Sequence, residues 1–317
     1  MKRPAKAVLH PGAIRPRHKP KQSQAHPGVS PLHPVSHRNV GYQPRPRPLG
    51  LPPYHYDLAE HFATIGEDIT KEKKMVFHVV GDTGGIQDGE FQNNVAAQML
   101  DHLNSHKGGK PQFCYHVGDV VYYTGMRDDY YAQFYEPYSQ YDVPIFSIPG
   151  NHDGEVDDPT AQVSLDGWVD YFMQAEPDVD PISKDAPRVQ LNLPNVYWTL
   201  VTPLATIIGM YTNVPEGGSV DSTQQQWVTH EFSTAPKDRA LILALHHPVY
   251  SFDVYHSGSS KMAAAKSWGF VTLTIDKKTI SGTTTEVDRT GRATTGDSFS
   301  YSAEPIVLAD PRSVPTL

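Results

Sequence analysis

Four short apolar runs in this sequence break off at a residue that can bind a metal or carry a proton. Met75-Val-Phe-His-Val-Val80 stops at Gly81-Asp82, Phe113 to Val117 at Gly118-Asp119, Pro144 to Ile148 at Pro149-Gly150-Asn151-His152-Asp153, and Leu241 to Leu245 at His246-His247-Pro248. Carboxylate, amide and imidazole groups are hard donors suited to a pair of divalent or trivalent metals. A lone Gly-Asp after a strand is ordinarily a turn, and a lone Asn-His is ordinarily a surface loop. Four such endings in succession carry more weight, because strand ends that share one sheet edge lie together in space and collect ligands there.

The elements that must position these residues can be read from periodicity. Leu58, Phe62, Ile65 and Ile69 fall near one face at helical spacing, which predicts a leading helix within Tyr54 to Lys74. Phe91, Val95, Met99 and Leu100 predict a second helix from Glu90 to His106, and Tyr130 to Tyr138 reads as a third. Apolar strands separated by helices describe a layered α/β sheet. Residues 154–188 read as a loop-rich insert, Val196 to Leu200 and Leu204 to Met210 as paired strands, and Gln224 to Phe232 as a helix. Gly269 to Ile275 and Thr279 to Val287 alternate apolar with polar residues across Asp276-Lys277-Lys278, the pattern of an antiparallel hairpin.

Composition sets the outer bounds. A chain of 317 residues with 38% hydrophobic content can build a real core. The single cysteine, Cys114, excludes an internal disulfide and lies in an apolar run that predicts a buried thiol. No apolar stretch is long enough for a membrane-spanning helix or a signal-peptide core, so the expected location is cytoplasmic and no membrane partner is expected. The net charge of −8 is uneven, because the first 56 residues hold ten Lys or Arg and no acid, with twelve of the 28 prolines before Tyr54. Residues 1–52 therefore read as a disordered basic arm whose contact with nucleic acid would be weak. The remaining expected boundaries are a catalytic-type domain over 53–290 and a tail over 291–317.

Gly81-Asp82-Thr83-Gly84, Gly118-Asp119-Val120-Val121-Tyr122, Gly150-Asn151-His152-Asp153 and His246-His247-Pro248 occur in the order found in calcineurin-like metallophosphoesterases, and the chain resembles their purple acid phosphatase-like branch over roughly 75–290. The branch is suggested by Asp82-Thr83-Gly84, where most of the family has Asp-x-His, and by Tyr122 three residues after Asp119. The resemblance implies an αββα sandwich and a phosphate ester substrate hydrolysed at a dinuclear centre. It implies that Asp82 and Tyr122 bind one ion, a ferric ion with a phenolate ligand, and that Asp119 bridges to a second ion held by Asn151 and His246. The pair would be iron with iron, zinc or manganese. His152 would contact phosphate and give a proton to the leaving group, with His256 as a further catalytic histidine and His247 as packing.

The resemblance also marks a gap. The family's last motif, Gly-His-x-His, which gives one histidine to each ion, does not occur in this sequence, and Lys261-Met262-Ala263 runs through Ala264-Ala265-Lys266-Ser267 straight into a terminal hairpin. A helix, a strand and a loop of the family pattern are thus expected to be missing near 262–267, leaving the sandwich incomplete in its C-terminal half. Two further functions fit the same residues: a phosphodiesterase on this framework, or a degenerate or truncated, non-catalytic phosphatase-fold binding protein.

Overall fold

The computed structural model describes residues 44–84, 89–156, 163–212, 220–247 and 267–302. Two sheets form the centre. One has the order β1-β5-β6-β7, from β1 (His55–Asp57), β5 (Trp198–Val201), β6 (Ala205–Gly209) and β7 (Ala240–Ala244). The other has the order β10-β9-β8-β2-β3-β4, from β2 (Lys74–Val80), β3 (Phe113–His116), β4 (Ile145–Ser147), β8 (Ser267–Asp276), β9 (Thr279–Asp288) and β10 (Ala293–Ser302). The fold is the expected mixed α/β sandwich. β2, β3 and β4 pair in parallel. Their runs are almost continuously apolar because such strands are covered on both faces.

The sheets meet through aromatic side chains. Trp198 stacks on Tyr115 at 5.9 Å, approaches Phe146 at 6.0 Å, and donates its indole N–H to the Ser147 carbonyl at 3.0 Å. On the other face of the large sheet lies α3 (Gly89–Ser105), which buries Val95, Met99 and Leu103 at helical spacing. There a hydrogen-bonded chain runs from Tyr141 through His78 to His102, at 2.8 Å for each link, and from His102 Nε2 to the Lys107 carbonyl at 2.7 Å. The final acceptor is a carbonyl, so every proton in the chain is assigned: Tyr141 donates to His78, His78 to His102, and His102 to Lys107.

Several expectations need correction. The leading helix is instead β1, α1 (Leu58–His61) and α2 (Ala63–Glu72). Asp57 ends the strand and caps α1 by accepting the Ala59 and Glu60 N–H groups, so the polar cap overrides the helical periodicity. The expected helix over Tyr130 to Tyr138 is a 3₁₀ turn (Arg127–Asp129) and a π-turn (Tyr131–Tyr135). The wider turn carries Gln133 inward, where its amide holds both the N–H and the carbonyl of Tyr122, at 3.0 and 2.9 Å. The insert contains α5 (Asp166–Phe172), whose Trp168, Tyr171 and Phe172 join the core. Of the expected arm only residues 44–52 are described, and these are tied down: Arg45 pairs with Asp221 at 2.6 Å and Pro194 O accepts from Leu49 and Gly50. The expected C-terminal tail begins with a full strand, β10, paired along β9. The four motif strands do not share one sheet edge: three belong to the large sheet, whereas β7 runs parallel to β6 in the other.

At β7 the smaller sheet ends among the described residues, and Leu241 and Leu243 are 39% and 38% exposed there. Cys114 is fully buried, and burial pushes its thiol pKa far above the usual range.

Candidate metal centre

Asp82 and Asp119 lie in the turns that follow two adjacent parallel strands, β2 and β3, and both take a left-handed backbone, with φ of 54° and 55°. That conformation turns each carboxylate off the strand line, at a cost that the surrounding bonds must offset. The two turns are cross-linked: Asp82 N–H donates to Gly118 O at 3.0 Å and Thr83 N–H to Asp119 O at 3.1 Å. Gly118, with φ of 102°, lies against the next turn so closely that a Cβ there would sit 2.5 Å from the Gly150 nitrogen.

The third turn is held by Asp153, which is wholly buried. One oxygen accepts from Asp119 and Gly150 N–H, each at 2.8 Å, and the other from Val120 at 2.9 Å and Val121 at 3.4 Å. Burial and the Asp119 charge lift its pKa to about 7, yet four donors and no acceptor around the two oxygens are the environment of a carboxylate. Sequence reasoning assigned Asp153 no role. Its signal was present, as the acid that closes the Gly-Asn-His-Asp motif.

Asp82, Asp119 and His246 come together with one donor atom each within 4.8 Å of one another. Asn151, the first residue of α4 (Asn151–Gly154), places Oδ1 3.1 Å from His246 Nε2. Tyr122 donates its hydroxyl to Asp82 at 3.0 Å, and burial together with the Asp119 and Asp82 charges drives its pKa far up, so the phenol is neutral here. His152 lies in the same cleft, its ring 4.7 Å from that of Tyr122 and its backbone N–H on Asp119 Oδ1 at 2.9 Å. His256 lies outside the described residues. His247 is turned to Thr212, whose hydroxyl is 2.8 Å from its Nδ1.

The hydrogen bonds of His246 decide what the pocket requires. Its Nδ1 donates to the Val117 carbonyl at 3.0 Å, so in the neutral ring the lone pair is on Nε2. That nitrogen faces Asn151 Oδ1 at 3.1 Å and Asp119 Oδ2 at 3.4 Å, both acceptors. The pocket therefore calls for a positive charge, either a second proton on His246 or a cation. As it stands the proton supplies it: burial opposes the charged ring, but the bond to Asp119 and the charges of Asp119, Asp82 and Asp153 raise the pKa to about 9. Hard oxygens and one imidazole nitrogen around such a position fit a metal ion.

A profile of the calcineurin-like phosphoesterases matches residues 75–274, which spans the pocket and most of both sheets. The chain belongs to the calcineurin-like phosphoesterase family. Its members use divalent metal ions on phosphate esters. No curated protein sequence matches significantly. Among solved structures, the purple acid phosphatase PPD1 from yellow lupin (Lupinus luteus) seeds aligns with TM-score 0.38 and 13% identity, over 72% of this chain and 54% of that one. PhoD aligns with TM-score 0.40 and 10% identity, over 73% and 70%. The Haemophilus influenzae NAD nucleotidase NadN aligns with TM-score 0.32 and 10% identity, over 72% and 50%. This phosphoesterase chain thus spans about half the length of two of those proteins.

His152 is the candidate proton carrier of the pocket. Its Nδ1 faces the Tyr123 carbonyl at 2.8 Å and Glu155 Oε2 at 3.0 Å, both acceptors. Burial opposes its charge, but the Glu155 bond and the Asp119 and Glu155 charges raise its pKa to about 9. Glu155, two residues beyond the motif, had no sequence signal of its own.

Proposed function

We propose that this chain is a metal-dependent phosphoric ester hydrolase of the acid phosphatase type, with two ions held by Asp82, Tyr122, Asp119, Asn151 and His246. The reading is carried by the His246 environment, where Nε2 faces two acceptor oxygens and the pocket calls for a positive charge that a metal ion can supply in place of a proton. Asp82 and Tyr122 would hold one ion and Asn151 and His246 the other, with Asp119 between them. Iron paired with iron, zinc or manganese matches the phenol, carboxylate and imidazole set. Bound ions supply charge that neutralises phosphoryl oxygens and acidifies water for in-line attack. The protein's own groups do the rest. Asp119 and Asp82 offer the negative charge that collects the cations. His152, protonated at neutral pH and anchored through Nδ1, would give its Nε2 proton to the departing alkoxide. No side chain is needed as nucleophile, which suits a fold whose one thiol is buried.

A non-catalytic, phosphatase-fold binding protein is the second reading, favoured by the absent Gly-His-x-His and by the exposed Leu241 and Leu243 side chains of β7. Metal content and turnover separate the two. The enzyme reading expects at least one equivalent of iron, zinc or manganese on the purified chain and metal-stimulated hydrolysis of p-nitrophenyl phosphate. Less than one equivalent, with no turnover at any added metal, favours the second. Under the enzyme reading, a strand bearing Gly-His-x-His inserted between Met262 and Ser267 raises occupancy and rate together.

A further inference from the structure

His116 is the last residue of β3, wholly buried between β2 and the edge strand β4 of the large sheet, with Val80 and Ser147 as its neighbours on those strands. Neither of its ring nitrogens is free. Nδ1 lies 3.1 Å from the Gly118 N–H, which can only donate, so this nitrogen is the unprotonated one. The ring proton is therefore on Nε2, which lies 2.8 Å from the Thr83 hydroxyl. One end of the imidazole thus grips the residue before Asp119, and the other grips the residue after Asp82.

We propose that His116 is a positioning residue that fixes the two carboxylate-bearing turns against each other and so sets the affinity of the pocket for cations. The inference rests on the metal-site reading above. It is distinct from coordination, because both nitrogens are already engaged and no lone pair remains for an ion. Two features give the imidazole this task. Asp82 and Asp119 both occupy the left-handed region, where most side chains are unfavourable, so their turns need restraint from outside themselves. The backbone bonds between the turns, Asp82 N–H to Gly118 O and Thr83 N–H to Asp119 O, set their spacing. The Thr83 to His116 to Gly118 bridge adds a side-chain tether between these two turns, beside the bond from the Tyr122 hydroxyl to Asp82. Groups that orient ligands through hydrogen bonds without touching the metal typically change affinity by about 10- to 100-fold when removed.

The test is calorimetric titration of the full chain with Mn²⁺ alone, at a pH where all variants are folded, beside thermal melts. T83V keeps the shape of Thr83 and removes the hydroxyl, T83S keeps the hydroxyl, and H116N keeps an acceptor for Gly118 but cannot reach Thr83. The expected result is a Mn²⁺ Kd weakened about 10- to 100-fold in T83V and in H116N, a double variant no weaker than the worse single, and T83S close to the parent. Melting points that fall while the Kd of the folded protein stays constant would mean that the bridge only supports the fold, and would overturn the proposal. Fully additive losses would overturn it too, since the two residues would then act separately. If the parent chain takes up no Mn²⁺, the metal-site reading itself fails and the proposal falls with it.

Discussion

Asp153→Asn is the substitution whose consequence the geometry fixes most tightly. An amide has the size of the carboxylate but only one acceptor oxygen. The native oxygens serve two pairs of N–H groups: Asp119 with Gly150 on one side, and Val120 with the longer Val121 contact on the other. The asparagine oxygen can satisfy one pair, and its NH₂ must then face the other, donor against donor. The least costly choice keeps Asp119 and Gly150 and leaves Val120, with the marginal Val121, unpaired in a fully buried setting. Buried donors left without partners cost about 1–3 kcal/mol each, and losing a buried charge returns part of that, so a net loss of about 3 kcal/mol is expected. For a domain of this size that corresponds to roughly 6–12 °C in melting temperature. Differential scanning calorimetry of the parent and D153N measures it directly. A variant that melts within about 2 °C of the parent would show that the four N–H groups find other partners, and the account of how Asp153 sets the third turn would be wrong.

Gly118→Ala should cost more than about 3 kcal/mol in urea denaturation, because its Cβ would meet the Gly150 nitrogen at 2.5 Å, whereas Gly108→Ala, at φ 79° with open space around it, should cost about 1–2 kcal/mol. His78 is buried, and its pKa is held near 3 by burial and by the neighbouring His102, below the unfolded value of 6.5. The unfolded chain therefore binds more protons between those values, so this contribution is complete above pH 6.5 and is lost as pH falls toward 3, with a limiting slope of about 1.4 kcal/mol per pH unit. Urea midpoints from pH 7 to 5 should fall more steeply for the parent than for H78Q, and parallel profiles would count against the burial argument. Mn²⁺ at 100 times its Kd should stabilise the parent by about 2.7 kcal/mol, and H246A should lose most of that shift. An unchanged Mn²⁺ response in H246A would remove His246 from the site.

The sequence by itself determined the elements whose side chains repeat strongly and the order of the motifs on them. Continuous apolar runs specify β2, β3 and β4 because strands covered on both faces admit little else, and alternation specifies the β8–β9 hairpin. The candidate donors Asp82, Asp119, Asn151 and His246 drew notice for the same reason, since each follows such a run within three residues. What the tertiary structure alone decided is where competing partners lie. Local periodicity favoured a helix through Tyr54 to Lys74, but β5 lay ready to pair with His55–Asp57 and Asp57 could cap the next turn. Nothing in Gln133 marked it as the brace of Tyr122, and nothing in His116 or Asp153 revealed which N–H groups would surround them. Nor could spacing show that His246 reaches the pocket from a different sheet than the other three donors. Periodicity along a chain records which face of an element is buried, whereas hydrogen-bond partners far apart in sequence are chosen only when the layers close.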